Sequence, residues 1–265
     1  MKKYLLVSAA LVAFGPFASA QSVSPAAPSA AMTAPMPASH VDASAPIAKK
    51  DTGHFLAMHE YFLARIKIGP IGLLFLGDSI TENWGRVAPA LYEESYSAYH
   101  PANFGIGGDT TQNVVFRVEN GELDGITPNP KVLVFMLGTN NSGSHSADEI
   151  FAADKKIIGE IRAKLPDTKI LLLAIFPRGP RKERDGSILP GDAEKRMAVI
   201  GDVNHQLATL DDGKMIRYLD IGPKFLDANG KIPLDIMPDQ LHPSLAGYKI
   251  WVAAMQPLLT EMLRK

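Results

Sequence analysis

Leu73-Leu74-Phe75-Leu76-Gly77-Asp78-Ser79-Ile80-Thr81 carries an apolar run straight into a Gly-Asp-Ser. Successive apolar residues of this kind read as a short strand covered on both faces, the pattern of a parallel sheet. Gly, Asp and Ser are turn formers, so the chain bends sharply after Leu76. A serine there lies at the carboxyl end of a parallel strand, the edge at which open α/β sheets hold their ligands. Taken alone the stretch is equally an ordinary strand-to-turn junction, and other loops have to decide between the two readings.

The flanking sequence supplies the rest of such a sheet. Phe55, Met58, His59, Phe62 and Ile66 recur at helical spacing before Gly69-Pro70 ends the helix. His54 and His59 belong to that helix and read as packing or surface residues. A short helix is expected over 88–95, then a weaker strand over 98–104 nearer a sheet edge. Gly105-Ile106-Gly107-Gly108-Asp109-Thr110-Thr111 follows, with a helix through Val114, Val115 and Val118. The run 131–137 is continuously apolar and rich in β-branched residues, and it stops at Gly138-Thr139-Asn140-Asn141. A helix over 146–164 opens on Ser146-Ala147-Asp148-Glu149, a capping-box pattern. A buried strand over 170–176, a charged Gly/Pro-rich loop over 178–194, a helix over 197–210, a strand over 215–220 and a helix over 244–263 complete the series. Strands alternating with helices predict one α/β domain, a three-layer α/β/α sandwich of about five parallel strands.

The N-terminus reads differently. Lys2 and Lys3 precede an apolar stretch ending at Ala18-Ser19-Ala20, the form of a cleavable secretory signal peptide over 1–20. Residues 21–50 are rich in Ala, Pro and Ser and read as a disordered linker. The domain is expected over 51–265. The chain has no cysteine, which excludes disulfide staples and thiol catalysis. Its formal net charge of −1 becomes −3 without Lys2 and Lys3, and it argues against a nucleic-acid partner. A periplasmic or secreted protein without a stable membrane anchor is the expectation.

The loops after the strands offer a complete set of parts for acyl transfer. Ser79 needs a base to take its proton during attack, and His242 can accept and return it. Asp239, three residues earlier in Asp239-Gln240-Leu241-His242, can hold the imidazole tautomer and stabilise the imidazolium. The backbone amides of Ser79 and Gly108 with the Asn140 side chain can serve as an oxyanion hole, Gly107 being the alternative glycine. Ile80 and Leu241 flank the two reacting residues and are candidates for the walls of a small acyl pocket. Asp78 reads as a cap for local amides. His40, His100, His145 and His205 lack ligand spacing, so no metal site is expected. Gly105-Ile106-Gly107-Gly108 lacks the lysine of a phosphate-binding loop.

Gly77-Asp78-Ser79, Gly108, Gly138-Thr139-Asn140 and Asp239-x-x-His242 together resemble the four sequence blocks of the SGNH (GDSL) hydrolases. Asn103 to Gln112, Glu119-Asn120-Gly121-Glu122-Leu123 and Pro177-Arg178-Gly179 resemble, within that family, the catalytic subunits of platelet-activating factor acetylhydrolase Ib. The resemblance spans residues 53–262. It implies a flavodoxin-like fold, no cofactor, and Ser79, His242 and Asp239 as nucleophile, base and orienting acid. It implies the oxyanion set Ser79, Gly108 and Asn140, with Gly108 chosen because the family's glycine directly precedes Asp. Family members form dimers, which leaves a homodimer open. The expected activity is a serine esterase removing short acyl groups, acetyl foremost, from a small-molecule or polysaccharide ester such as cell-wall material. The competing expectations are a lysophospholipase or thioesterase with a longer acyl groove, and a non-catalytic carbohydrate-binding module.

Overall fold

Parallel strands β1 (Leu73–Gly77), β2 (Pro101–Gly105), β3 (Val132–Met136), β4 (Lys169–Leu173) and β5 (Ile216–Leu219) form one five-stranded sheet in the order β2-β1-β3-β4-β5. The computed structural model describes residues 41–50, 53–181 and 185–264. The expected signal peptide and residues 21–40 of the expected linker lie outside them. β1 and β3 are buried along their whole length, as their apolar runs require, and β2 lies at the sheet edge. Gly77 is in register with both Gly105 and Met136, so the chain leaves three adjacent strands at one level.

Side chains alternate between two cores, as strand geometry dictates. Leu74, Leu76, Leu133 and Phe135 face α1 (Gly53–Arg65), α5 (Thr111–Glu119), α6 (Ala147–Lys164) and α7 (Asp192–Ala208). Leu73, Phe75, Val132 and Val134 face the opposite layer, which holds α3 (Trp84–Val87), α4 (Pro89–Tyr96) and α8 (Leu245–Arg264). The second core is aromatic, with Trp84 4.3 Å from Tyr248 and 5.2 Å from Trp251 between ring centroids. Ser146 caps α6 in a capping box with Glu149, as its sequence predicts. No helix among the described residues is long and apolar enough to cross a membrane.

Three features depart from the sequence expectation. α2 (Ser79–Glu82) and α3 are single turns, too short to carry a 3.6-residue period. A Cβ on Gly105 would overlap the backbone nitrogen of Glu82, so glycine is what lets α2 sit against β2. α7 begins at Asp192 rather than near 197, its charged first turn held by an Asp192–Arg196 ion pair of 2.7 Å. Residues 41–50, expected as linker, instead form a strap on the domain. Ala43 is buried, and its carbonyl accepts from Thr111 Oγ1 at 2.7 Å. The Ile47 amide donates to the Gln112 carbonyl at 3.1 Å, and the Ile47 carbonyl accepts from Asn113 Nδ2 at 2.9 Å. The attachment uses backbone groups against a polar helix start, which leaves no hydrophobic period to read.

One buried group stands against the core. Asp154 on α6 is fully buried beside Ile150, Ile157 and Ile158, and neither carboxylate oxygen has a hydrogen-bond partner. Burial raises its pKa well above the ordinary 3.8, and the charge of Asp78 adds to this. The folded protein therefore keeps a proton that the unfolded chain releases. Stability is greatest below the unfolded value and falls as pH rises toward the folded one. Asp78 acts in the same sense. Melting temperature is expected to fall between pH 5 and pH 8, and Asp154→Asn to flatten that fall in thermal melts. An unchanged slope in the variant would reject the buried proton.

Candidate active site

The turn after β1 places Ser79 at the first residue of α2. Asp78 caps that turn by accepting the Ile80 amide at 2.9 Å. Burial pushes the Asp78 carboxyl up to about 7, although the Ile80 amide opposes this; the charge of Asp109 adds to it. Ser79 Oγ lies 2.9 Å from Nε2 of His242, and His242 Nδ1 lies 2.6 Å from Oδ2 of Asp239. The other Asp239 oxygen accepts the amides of Leu241 at 3.0 Å and His242 at 2.8 Å. Burial raises the Asp239 pKa, but these hydrogen bonds and the imidazole outweigh it and hold the carboxyl below its ordinary value. With Asp239 ionised, Nδ1 carries the imidazole proton and Nε2 is left to accept from Ser79.

The loop between Asp239 and His242 is fixed from outside. Gln240 adopts φ +58°, a left-handed conformation costing a non-glycine residue on the order of 1–2 kcal/mol. Its carbonyl accepts the Gly179 amide at 2.7 Å, and its amide donates to the Met237 carbonyl at 2.9 Å. A Cβ on Gly179 would overlap the Gln240 side chain, which gives Pro177-Arg178-Gly179 its glycine. Arg178 turns inward, its guanidinium donating to the Thr139 carbonyl at 3.2 Å and to Thr139 Oγ1 at 3.3 Å. Burial and then the charge of Arg196 lower it to about 10, so it stays charged at neutral pH. Asn140, next to Thr139, uses one amide proton on the Asp109 carbonyl at 2.8 Å.

Gly107 sits beside the nucleophile, with an ideal Cβ on it 4.0 Å from Cβ of Ser79. Gly108 is exposed and left-handed at φ +71°. The following Asp109 is fully buried in an ion chain that the sequence did not reveal. Lys49 Nζ is 2.6 Å from its Oδ1, and Arg117 is 2.6 Å from its Oδ2. Arg117 continues to Glu122 at 3.1 Å and to the Phe104 carbonyl at 2.6 Å, and Glu122 meets His59 at 2.7 Å. Burial raises the Asp109 pKa, opposed by Arg117 and Lys49. Ile80 is 1% exposed and enclosed by the aromatic core, its carbonyl accepting from the Tyr248 hydroxyl at 2.6 Å. Leu241 is half-buried against the same core.

The structure thus brings Ser79, Asp239 and His242 into a hydrogen-bonded line, with Gly107, Gly108 and Asn140 on the adjoining loops. The sequence profile of the GDSL-like Lipase/Acylhydrolase family matches residues 75–250, which contain all of them. The chain belongs to this family. Platelet-activating factor acetylhydrolase IB subunit alpha1 of Bos taurus is 33% identical over 215 residues, covering 80% of this chain and 84% of the relative. A GDSL-like lipase structure from Bacteroides thetaiotaomicron superposes with a TM-score of 0.59 at 20% identity, covering 78% of this chain and 98% of that one. An acetyl xylan esterase, AlAXEase, gives 0.52 at 20% identity, covering 71% and 98%. As a GDSL-family member the chain is a carboxylic ester hydrolase.

Arg178, which the sequence places only at the start of a charged loop, supports the site; charge alone does not say which way such a residue points. The guanidinium uses one nitrogen on Thr139 and its Nε on the Gly179 carbonyl at 3.2 Å, and a single lysine ammonium cannot reproduce that spread. Arg178→Lys is expected to lower kcat about 10-fold with KM nearly unchanged, since it loosens the turn carrying Asn140. Steady-state kinetics on a soluble ester checks this, and an unchanged kcat would show that Thr139 holds the turn unaided.

Proposed function

We propose that this GDSL hydrolase removes short acyl groups, acetyl foremost, through an acyl-enzyme on Ser79. The reading rests on the Ser79–His242–Asp239 line, with spacings of 2.9 and 2.6 Å. His242 Nε2 takes the Ser79 proton as Oγ bonds to the ester carbonyl carbon, and Asp239 stabilises the imidazolium. The carbonyl oxygen becomes an oxyanion received by the amides of Ser79 and Gly108 and the second amide proton of Asn140. Collapse expels the alcohol, protonated by His242. Water, deprotonated by the same imidazole, then bonds to the acyl carbon and releases the acid and Ser79.

Two observations support a short acyl group. Ile80, next to the nucleophile, is closed in by Trp84 and Tyr248, so a long chain on that side would have to displace packed rings. The bovine relative is an acetylhydrolase. A cleft of about 390 Å³, lined by Pro177, Arg178, Gly179, Met197, Ile232 and Gln240, adjoins the Asp239–His242 loop and offers room for the alcohol part of a substrate. A larger concavity of about 540 Å³ runs along α8 around Pro257 and holds none of the site residues. The signal-like residues 1–20 favour export, which would bring the enzyme to O-acetylated carbohydrate or cell-wall esters.

Hydrolysis of p-nitrophenyl esters from C2 to C12 by wild type and Ser79→Ala tests the reading. Activity is expected to peak at C2–C4 and to drop at least about 1,000-fold in the variant. Equal activity in the two proteins would sink the serine mechanism. A C8–C12 optimum would instead favour the lysophospholipase or thioesterase reading, and a wild type inert to both esters and a fluorophosphonate probe would favour a binding module. Acetate release from acetylated xylan, peptidoglycan and phospholipid then separates substrate classes.

A further inference from the structure

The strap reaches the site through one residue. Lys49 Nζ donates to the Gly107 carbonyl at 2.6 Å and pairs with Asp109 at 2.6 Å, and an ideal Cβ on Gly108 would lie 3.8 Å from it. The Gly107 carbonyl and the Gly108 amide belong to the same peptide unit. That unit is planar and trans, so fixing the direction of the C=O fixes the opposite direction of the N–H. Two consecutive glycines leave the plane freer to rotate than any other pair of residues would. A cation on the carbonyl also polarises the peptide and strengthens its N–H as a donor.

Charge balance gives Lys49 a second task. In the buried chain Lys49 and Arg117 face Asp109 and Glu122, two cations against two anions, with His59 at the outer end. Without Lys49, Arg117 would serve two carboxylates, and uncompensated negative charge would sit in the residue after Gly108. That is where the reaction generates an oxyanion.

Resting on the oxyanion role proposed for Gly108, we propose that Lys49 is a positioning residue that aims the Gly107–Gly108 peptide at the substrate oxygen. The strap at 41–50 is then part of the catalytic apparatus rather than a tether. Lys49 does not touch substrate; it acts through the peptide it grips. Its side chain is 22% exposed, with Nζ 5.4 Å from the centroid of the Phe55 ring, a contact that the methionine side chain can also cover.

The test compares wild type, Lys49→Met, Lys49→Gln and Lys49→Arg in the full chain. With p-nitrophenyl acetate, Lys49→Met is expected to lose about 10–100-fold in kcat with KM within about twofold, because the donor is misaimed in the transition state rather than lost from the ground state. Lys49→Gln, which keeps a donor but no charge, should lie between Met and wild type, and it stands in if the Met variant fails to fold. Lys49→Arg should recover most of the rate. An unchanged kcat in the neutral variants, or a loss carried by KM alone, would overturn the proposal. The rate at which a fluorophosphonate labels Ser79 separates this from the esterase reading, since its phosphoryl oxygen needs the same donors. If wild type cleaves no ester yet is labelled, the substrate reading fails. Slower labelling of Lys49→Met would then still support the clamp, and equal labelling would overturn it. A Ser79 that no fluorophosphonate labels overturns both.

Discussion

Gly77 on β1 is level with Gly105 on one neighbouring strand and Met136 on the other. Parallel pairing in register is the constraint from which the site follows. It makes three loops depart side by side from one edge, carrying Ser79, Gly107-Gly108-Asp109 and Thr139-Asn140. The apolar alternation that pins the register is the same alternation that fills both cores, so a slip of one residue would exchange the two faces of the sheet. The nucleophile's position is thus specified by hydrophobic burial well away from it. His242 arrives independently, on the loop before α8, and Tyr248 of that helix ties it back to the turn beneath Ser79.

Loops emerging from a sheet edge need more than register, because their backbone groups lack ladder partners. Here charged side chains supply them. Arg178 holds the Thr139 turn, Lys49 the Gly107 carbonyl and Arg117 the end of β2. Each is buried or partly buried, where a charge-assisted hydrogen bond is stronger than at the surface. Each also leaves a costly uncompensated group behind if its partner is removed. Rigidity at the site accordingly comes from cations gripping carbonyls, while the cores set only the level at which the loops begin.

The sheet was legible because continuous apolar runs and helical periods are strong local signals; 131–137 and the Ser146 cap need nothing beyond the chain itself. The edge position of β2 was legible too, from its mixed composition. The strand order was not, since register and neighbour choice depend on contacts distant in sequence. The Asp239-Gln240-Leu241-His242 spacing made a pair readable, but the left-handed Gln240 and its dependence on Gly179 join residues far apart in the chain. Lys49 was the least legible. It lies at the end of a low-complexity segment whose attachment runs through backbone carbonyls, and composition-based reading sees only the absence of a core.

Ester hydrolysis builds negative charge beside Ser79, yet several carboxylates belong to this neighbourhood: Glu82 lies against Gly107 and meets His54 at 2.6 Å, and the fold treats four others in two ways. Asp239 stays ionised because the site uses its charge: hydrogen bonds hold its pKa low, and it faces the imidazole that becomes cationic as the oxyanion forms. Asp109 is buried against both Lys49 and Arg117, so its charge is cancelled at the residue following the oxyanion glycine. Asp78 and Asp154 have no ion-pair partner among the described residues, and desolvation pushes both toward the protonated form; the charge of Asp109 adds to this at Asp78, and the charge of Asp78 adds to it at Asp154. A carboxyl shifted toward protonation costs stability at neutral pH but projects a weaker field toward the developing anion. A site that stabilises an anion must first dispose of the anions in its own walls, by pairing where a cation is in reach and by proton retention where none is.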